Sequence, residues 1–337
     1  MKKGKTKGFD LQGKLVSSDP AMARVIASQA KSAELKRFMK CIEKDRDQLL
    51  EEYTDMINAR PVPKSPSKVR KAGKIDTVRV NVGDMHGMRM DRAAVDTFLA
   101  DMKDLDPDEI VLGGDMMECG GWLARHLPVG FVALSDYTYQ EDVNATNWFL
   151  DELQKVCPHA VIHYLEGNHE SRVERWCVDQ TMAHKRDATF LREAFAPQYL
   201  LRLKERGIKY YCRSEIYVDG LPRGWIKLGK MCFTHQLAGG KNAASRSLDR
   251  SSCNLTFFHT HKEDTATRVL PTIGLVKAFC PGCLCVMQPV WQHSLPTDWS
   301  QGYDINFIAK SGNFQRLNVP IWRGTSLAGA MIKRFRS

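Results

Sequence analysis

The stretch Thr77-Val-Arg-Val-Asn-Val82, followed at once by Gly83-Asp84-Met85-His86-Gly87, decides how this chain folds. A β-branched run of that length predicts a buried strand, and the glycines mark where it ends. Asp84 and His86 stand two apart on an extended segment, so a carboxylate and an imidazole point the same way and can grip one ion. Working outward, the same arrangement recurs. Ile110 to Leu112 is a short apolar strand that runs into Gly113-Gly114-Asp115-Met116-Met117-Glu118, and Ala160 to Leu165 runs into Gly167-Asn168-His169-Glu170. Lys230 to Thr234 and Leu255 to Phe258 read as further strands, ending in His235 and in His259-Thr260-His261. Glycines at these ends allow the tight turns that deliver a side chain into a shared pocket.

Between the strands lie segments of helical period, one carrying Val95, Phe98, Leu99 and Met102, another Trp148, Phe149, Leu153 and Val156. Strand alternating with helix predicts an α/β core with adjacent parallel strands. In such sheets ligands bind at the carboxyl ends of the strands, where the acidic and imidazole residues stand here. The aromatic-rich C-terminal part (Trp291, Trp299, Tyr303, Phe307, Phe314, Trp322) predicts more sheet.

Upstream of Pro61 the pattern changes. Asp19-Pro20 reads as a helix cap, and Leu35, Phe38, Met39, Ile42, Leu49, Leu50, Tyr53, Met56 and Ile57 recur with helical period, as two helices or one bent helix. Pro61-Val-Pro-Lys-Ser-Pro-Ser-Lys68 reads as a linker. The expected division is a helical extension with linker over 1–75 and a catalytic domain over 76–337. The extension is suited to self-association, to gripping a partner, or to packing on the catalytic domain.

A chain of 337 residues, 43% hydrophobic, has enough apolar matter for a sizeable core, and no apolar run approaches a membrane span. The basic N-terminus is followed by no apolar segment, so it does not read as a signal peptide. Ten scattered cysteines fit reduced thiols in a cytoplasm rather than a disulfide scaffold. The net charge of +10 suits a phosphate-rich partner such as nucleic acid.

Short motifs of this kind are often structural when alone, but five of them in fixed order, each after a predicted strand, point to a dinuclear metal site. Imidazole, carboxylate and amide oxygen together suit manganese, iron or zinc. The segments from about Val78 to His261 resemble the calcineurin-like metallophosphoesterase superfamily, whose pattern runs Asp-x-His, Gly-Asp-x-x, Gly-Asn-His-Asp/Glu, His, Gly-His-x-His. That resemblance implies an αββα sandwich, two packed mixed β-sheets flanked by helices. It also implies two divalent ions, manganese first and iron or zinc as alternatives. Asp84, His86 and His261 would hold one, Asn168, His235 and His259 the other, and Asp115 would bridge. His169 would face the substrate unligated, and Glu118 is read either as its support or as a solvated carboxylate. The implied chemistry is hydrolysis of a phosphoester, with a bridging hydroxide attacking phosphorus in line between the two ions.

Phe258 stands where that family has glycine before its His-x-His. The superfamily's nucleases fit the basic charge, with Lys68-Val-Arg-Lys-Ala-Gly-Lys74 and Lys333-Arg-Phe-Arg336 as phosphate-contact clusters or plain solvated charge. Its serine/threonine phosphatases, acting on phosphoprotein, share Gly167-Asn-His-Glu-Ser-Arg172. They have arginine where Cys119 and Glu166 stand here, so Arg172 or Arg125 would have to replace it. An inactive binding module of the same fold is a third possibility. Cys280-Pro-Gly-Cys283-Leu-Cys285 lacks the second cysteine pair of a structural zinc site and reads as a buried turn. His163, within a strand, reads as a core residue.

Overall fold

The computed structural model describes residues 74–120, 123, 136–180, 185–289 and 296–331, with 8–9, 15–16, 21, 24, 28, 30–41, 44–45 and 48 upstream. The chain forms two compact units, Met1–Lys71 and Ala72–Ser337. In the first, strands β1 (Gly8–Phe9) and β2 (Leu15–Val16) pair antiparallel, residues 30–41 are helical, and Leu35, Phe38 and Met39 are exposed. The Asp19-Pro20 cap and the linker over 61–68 lie outside the described residues.

The second unit is built on two mixed sheets. One takes the order β13-β12-β3-β4-β5-β6, with β3 (Ile75–Val82), β4 (Glu109–Leu112), β5 (Val161–Leu165), β6 (Lys209–Tyr211), β12 (Gly302–Ala309) and β13 (Phe314–Pro320). Strands β3 to β6 run parallel, and β12 joins β3 antiparallel. The other takes the order β10-β11-β9-β8-β7, with β7 (Ile226–Leu228), β8 (Met231–Thr234), β9 (Leu255–Phe257), β10 (Glu263–Leu270) and β11 (Gly274–Pro281). Among the described residues the unit also has helices α1 (Arg92–Leu105), α2 (Tyr139–Val156), α3 (Glu170–Gln180), α4 (Lys185–Phe195), α5 (Pro197–Leu200) and α6 (Ala243–Ser251), and a 3-10 turn at Gly87–Arg89. The stretch from Ser171 to Cys232, which matches no motif, therefore holds most of α3, then α4, α5, β6 and β7.

Alternation along the strands assigns the layers, because successive side chains point to opposite faces. In β4, Ile110 and Leu112 join the core that also contains Val95 and Phe98 of α1 and Phe149 and Leu153 of α2. Val111 between them points the other way, into a core shared with Phe233 of β8 and Phe279 of β11. On the second sheet Cys232, Leu255, Phe257 and Ala278 face out toward Ala243, Ala244 and Leu248 of α6. The order of layers is helix, sheet, sheet, helix: the αββα sandwich.

The helix ends follow ordinary chemistry. Asp91 caps α1 by accepting from the Ala93 and Ala94 N–H groups, and Thr138 caps α2 by accepting from Glu141 N–H. His163 lies buried in β5 with Nδ1 2.9 Å from the Tyr211 hydroxyl. No helix among the described residues is long and apolar enough to cross a membrane, and the cysteines are free thiols.

Phe258 has a tertiary explanation. Its ring is fully buried between the sheets and occupies the space that a Cβ on Gly83 or Gly113 would need. The departure after β9 is thus matched by glycines after β3 and β4, so size is exchanged across the interface. We expect Gly113→Ala to cost about 1–3 kcal/mol, the usual penalty of overpacking. Chemical unfolding of Gly113→Ala, Phe258→Leu and the double variant should show a double-variant loss smaller than the sum; strict additivity would mean that the ring and the glycine are not in register.

Candidate metal centre

All the motif loops emerge at one edge of the sandwich and are tied together through their backbones. Asp84 N–H donates to Gly114 carbonyl at 3.0 Å, His86 N–H to Asp115 carbonyl at 2.9 Å, and Gly87 N–H to Met116 carbonyl at 2.8 Å. Across the sheets, His259 N–H donates to Asp84 Oδ2 at 2.9 Å, and within the second sheet Phe258 N–H donates to His235 carbonyl at 2.9 Å. Asp84, His86, Asp115, His259 and His261 all adopt positive φ, between 49° and 73°. Left-handed backbone is uncommon outside glycine, and its concentration at functional sites is offset by surrounding contacts.

Glu170 supplies much of that compensation. Its carboxylate is fully buried and accepts from the N–H groups of Asp115 (3.0 Å), Met116 (2.8 Å), Met117 (3.2 Å) and Gly167 (3.0 Å), and from the Tyr164 hydroxyl (2.8 Å). Burial, with the nearby Asp115 charge, pushes it up to about 7. Asp142 of α2 acts in the same way farther from the ligands, accepting from Met88, Glu118 and Cys119 N–H and from the Tyr137 hydroxyl. Burial moves it up to about 6, although those donors pull it down.

On this frame the side chains converge. Asp84, His86 and Asp115 each place a ligand atom within 4.8 Å of the other two, and so do Asp115, His235 and His259. His86 Nε2 lies 3.1 Å from His261 Nε2, which lies 3.3 Å from Asp84 Oδ1. His235 Nε2 lies 3.2 Å from Asp115 Oδ2 and 2.9 Å from Asn168 Oδ1. The far side of each ring sets which nitrogen is bare. His235 Nδ1–H donates to Gly113 carbonyl at 2.8 Å, and His86 Nδ1–H donates to Glu118 Oε2 at 2.7 Å. In the neutral rings both Nε2 lone pairs therefore face oxygens or another nitrogen.

Asp84 Oδ1 and Asp115 Oδ2 are buried there without a hydrogen bond. A buried cluster of acceptors needs positive charge among them. Protons serve only part of the cluster: against burial, the Asp115 and Asp84 carboxylates raise His235, but its neighbours go the other way. Burial, with His235 beside it, pushes His259 down to about 4, and burial together with the His169 charge lowers His86. Burial would raise Asp115, yet the neighbouring imidazoles of His169 and His235 hold it well below the usual carboxylate range. Ionised carboxylates converging with imidazoles, of which His86 and His259 are pushed toward the neutral form, are a donor set that suits divalent cations.

His169 borders that set, with ligand atoms of His86, Glu118 and His169 within 4.8 Å of one another. Its Nδ1–H donates to Glu118 carbonyl at 2.6 Å, and its Nε2 lies 3.7 Å from Asp115 Oδ2 and 2.9 Å from Arg172 Nη2. Burial favours the neutral ring, but the Asp115 and Glu118 carboxylates outweigh it and raise His169 to about 9. The Glu118 carboxylate is buried, bonded to His86 and only 3.5 Å from His169 Nδ1. It thus orients His86 first and His169 second.

Two further residues border the centre. Arg172 donates from Nη1 to the Glu118 and Cys119 carbonyls at 3.2 and 3.3 Å, which puts its guanidinium beside His169. The half-buried Trp299 stands edge to face on His261, with ring centroids 4.1 Å apart. Cys119 is buried, and Glu166 is occupied with Arg213 N–H and Cys212. Arg125 lies outside the described residues. Sequence reasoning assigned no role to Glu170, Asp142 or Trp299. Glu170 carried a signal, since it closes the Gly-Asn-His-Glu motif, whereas nothing in the local sequence marks the other two.

No family model matches this chain, and no curated protein does. Among solved structures it aligns with YfcE, a phosphoesterase from E. coli, at 17% identity over 72% of this chain and 98% of that one, with a TM-score of 0.33. It aligns with vacuolar protein sorting 29 from Cryptosporidium parvum at 10% identity over 75% and 95% of the two chains, TM-score 0.34. A mutant of a cold-active protein tyrosine phosphatase gives 14% identity over 72% and 80%, TM-score 0.33. These overlaps are loose, and the chemistry of the site rests on this chain's own residues.

Replacing Glu170 by alanine would leave several buried N–H groups without an acceptor, each worth roughly 1–3 kcal/mol. We expect Glu170→Ala to lose on the order of 3 kcal/mol or more in thermal unfolding and to bind metal weakly. A variant that unfolds like the wild type and keeps full metal affinity would remove Glu170 from the frame.

Proposed function

We propose that this protein is a dinuclear-metal-dependent phosphoester hydrolase of the calcineurin-like type, acting on nucleic acid as a nuclease or phosphodiesterase. The observation that carries this reading is the convergence of buried carboxylates and imidazoles: Asp84, His86 and Asp115, and again Asp115, His235 and His259, place ligand atoms within 4.8 Å of one another, and Asp84 Oδ1 and Asp115 Oδ2 are buried there without a hydrogen bond. Asp84, His86 and His261 would hold one cation, Asn168, His235 and His259 the other, with Asp115 shared. Manganese suits these donors, and so do iron and zinc. Bound there, two cations supply charge neutralisation on a phosphoryl group and an activated water nucleophile.

The chain's own residues supply the rest. Glu118 and the Gly113 carbonyl fix His86 and His235 through their Nδ1–H groups, so both rings present Nε2 inward. Arg172 Nη2, which can only donate, lies 2.9 Å from His169 Nε2, so for the protonated ring to give Nε2–H to the leaving-group oxygen the guanidinium turns to a bound phosphate. Beside it Arg172 adds a second donor, so the pair offers two N–H groups to one phosphate oxygen. The net charge of +10 and the exposed edge of Trp299 next to His261 support a polynucleotide, through phosphate contacts and base stacking. Arg172 supports a second reading, a phosphomonoesterase acting on phosphoprotein, because a guanidinium beside the site suits a terminal phosphate dianion.

His169→Ala should retain both metals by elemental analysis and slow turnover by about 10²–10⁴. The donor form is the protonated one, so wild-type kcat should fall as pH rises. Bound cations neutralise Asp115 and bring that limb below about 9. His169→Ala should lack the limb, and metal loss in this variant would mean that His169 is a ligand.

The substrate class is tested by manganese-dependent hydrolysis of bis-p-nitrophenyl phosphate, p-nitrophenyl phosphate and a labelled oligonucleotide, with Asp115→Asn as control. Diester and oligonucleotide cleavage that vanishes in the control is the expected result. Monoester cleavage alone selects the phosphatase reading. Silence on all three, in protein that binds metal, would leave an inactive binding module.

A further inference from the structure

The buried turn after β11 reaches the centre. Pro281-Gly-Cys283-Leu-Cys285 does not fold away as an isolated knuckle. Leu284 N–H donates to Asp84 carbonyl at 3.2 Å, Asp91 N–H to Leu284 carbonyl at 2.9 Å, and Val286 N–H to Arg89 carbonyl at 3.0 Å. Cys285 pairs with Met90 in an isolated bridge, and its carbonyl accepts from Gln301 Nε2 at 2.9 Å. The segment is thus stitched along the loop that carries Asp84 and His86. Cys285 is 2% exposed, and its sulfur and one ring nitrogen each of His86 and His261 lie within 4.8 Å of one another.

We propose that Cys285 is a thiolate ligand of the first metal, joining His86, His261 and Asp84. This inference rests on the metal-centre reading above and adds a donor of a different kind. Imidazole and carboxylate accept manganese readily, whereas a thiolate selects zinc, iron or cobalt over manganese. With the shared Asp115 the first ion would have five protein donors, Cys285, His86, His261, Asp84 and Asp115, the expanded coordination that catalytic zinc can take, with Zn–S at about 2.3 Å and Zn–N at about 2.0 Å. On binding, the Sγ–H bond breaks, the sulfur pair forms the bond to the cation, and the proton passes to solvent with no change of oxidation state. Cys283 is the neighbouring buried thiol and touches the Cys285 thiol, but it is in none of the ligand groups around His86 and His261. Its Sγ faces the Ser300 carbonyl at 3.5 Å, which makes it the control for an adjacent buried thiol that is no ligand.

The full chain, stripped of metal, is loaded with zinc or cobalt and compared as wild type, Cys285→Ser, Cys285→Ala and Cys283→Ser. X-ray absorption of the zinc protein should show a sulfur neighbour at about 2.3 Å, and cobalt loading should give a sulfur-to-metal charge-transfer band in the near ultraviolet. Both signals persist in Cys283→Ser and disappear in the two Cys285 variants. Zinc affinity of the first site should fall by at least tenfold or so, the loss that even outer-shell partners carry, with manganese affinity nearly unchanged. Circular dichroism checks that each variant is folded, and the wild-type sulfur signal itself requires no variant. A wild type that binds two ions per chain with only nitrogen and oxygen neighbours overturns the role of Cys285 and leaves the dinuclear centre standing. A sulfur signal lost in Cys283→Ser and kept in Cys285→Ser overturns it too. A wild type that takes up no metal sinks the centre and this inference together.

Discussion

A single buried carboxylate holds the frame on which this site depends. Glu170, at the start of α3, accepts hydrogen bonds from three consecutive N–H groups of the loop after β4 and one of the loop after β5. Burying a charge is costly unless its oxygens are fully bonded, and here Tyr164 completes the set. The two loops cannot then move independently. Asp115 is held at the point shared by both halves of the candidate centre, and His169, whose N–H donates to Asp115 Oδ1 at 2.8 Å, is held with it.

Around that anchor the molecule concentrates strain and unsatisfied charge in one place. Residues with left-handed backbone cluster among the candidate ligands, and the acceptors they deliver point at each other. A folded chain tolerates this because backbone bonds stitch the loops from every side. Asp84 is gripped from β4 through Gly114, from β9 through His259 N–H, and from the turn after β11 through Leu284. A cation bound among these carboxylates and imidazoles would stabilise the fold that brings them together. Thiol, imidazole and carboxylate around the first position differ in softness, and that balance, rather than geometry alone, governs which metal it takes.

Much of the architecture was legible because it depends on local periodicity. The β-branched run ending at Val82 and the apolar triplet at Ile110 to Leu112 declare strands, and Val95, Phe98, Leu99 and Met102 declare one face of a helix. The described strands and helices fall on those segments, with their ends shifted by a few residues. The stretch from Ser171 to Cys232 was opaque, since its short strands β6 and β7 gain their identity from their neighbours in the two sheets. Phe258 looked like a departure from a pattern until the glycines facing it were seen.

The sequence by itself showed which polar residues follow the strands, and its resemblance to a known family made Asp84, His86, Asp115, Asn168, His235, His259 and His261 the candidates for holding metal. Spacing along one segment is a local property, but Asp84, His86, His259 and His261 have left-handed rather than the expected extended backbone, so the turns beyond the strands, and not the pleat, aim each pair. Only the tertiary structure decided what supports them. Glu170 with the Asp115 loop, Asp142 with Glu118, Phe258 with Gly113, and Cys285 with His86 and His261 are contacts between segments tens to hundreds of residues apart. No short window of sequence records such pairs, because they exist only once the two sheets have packed and the loops share one volume.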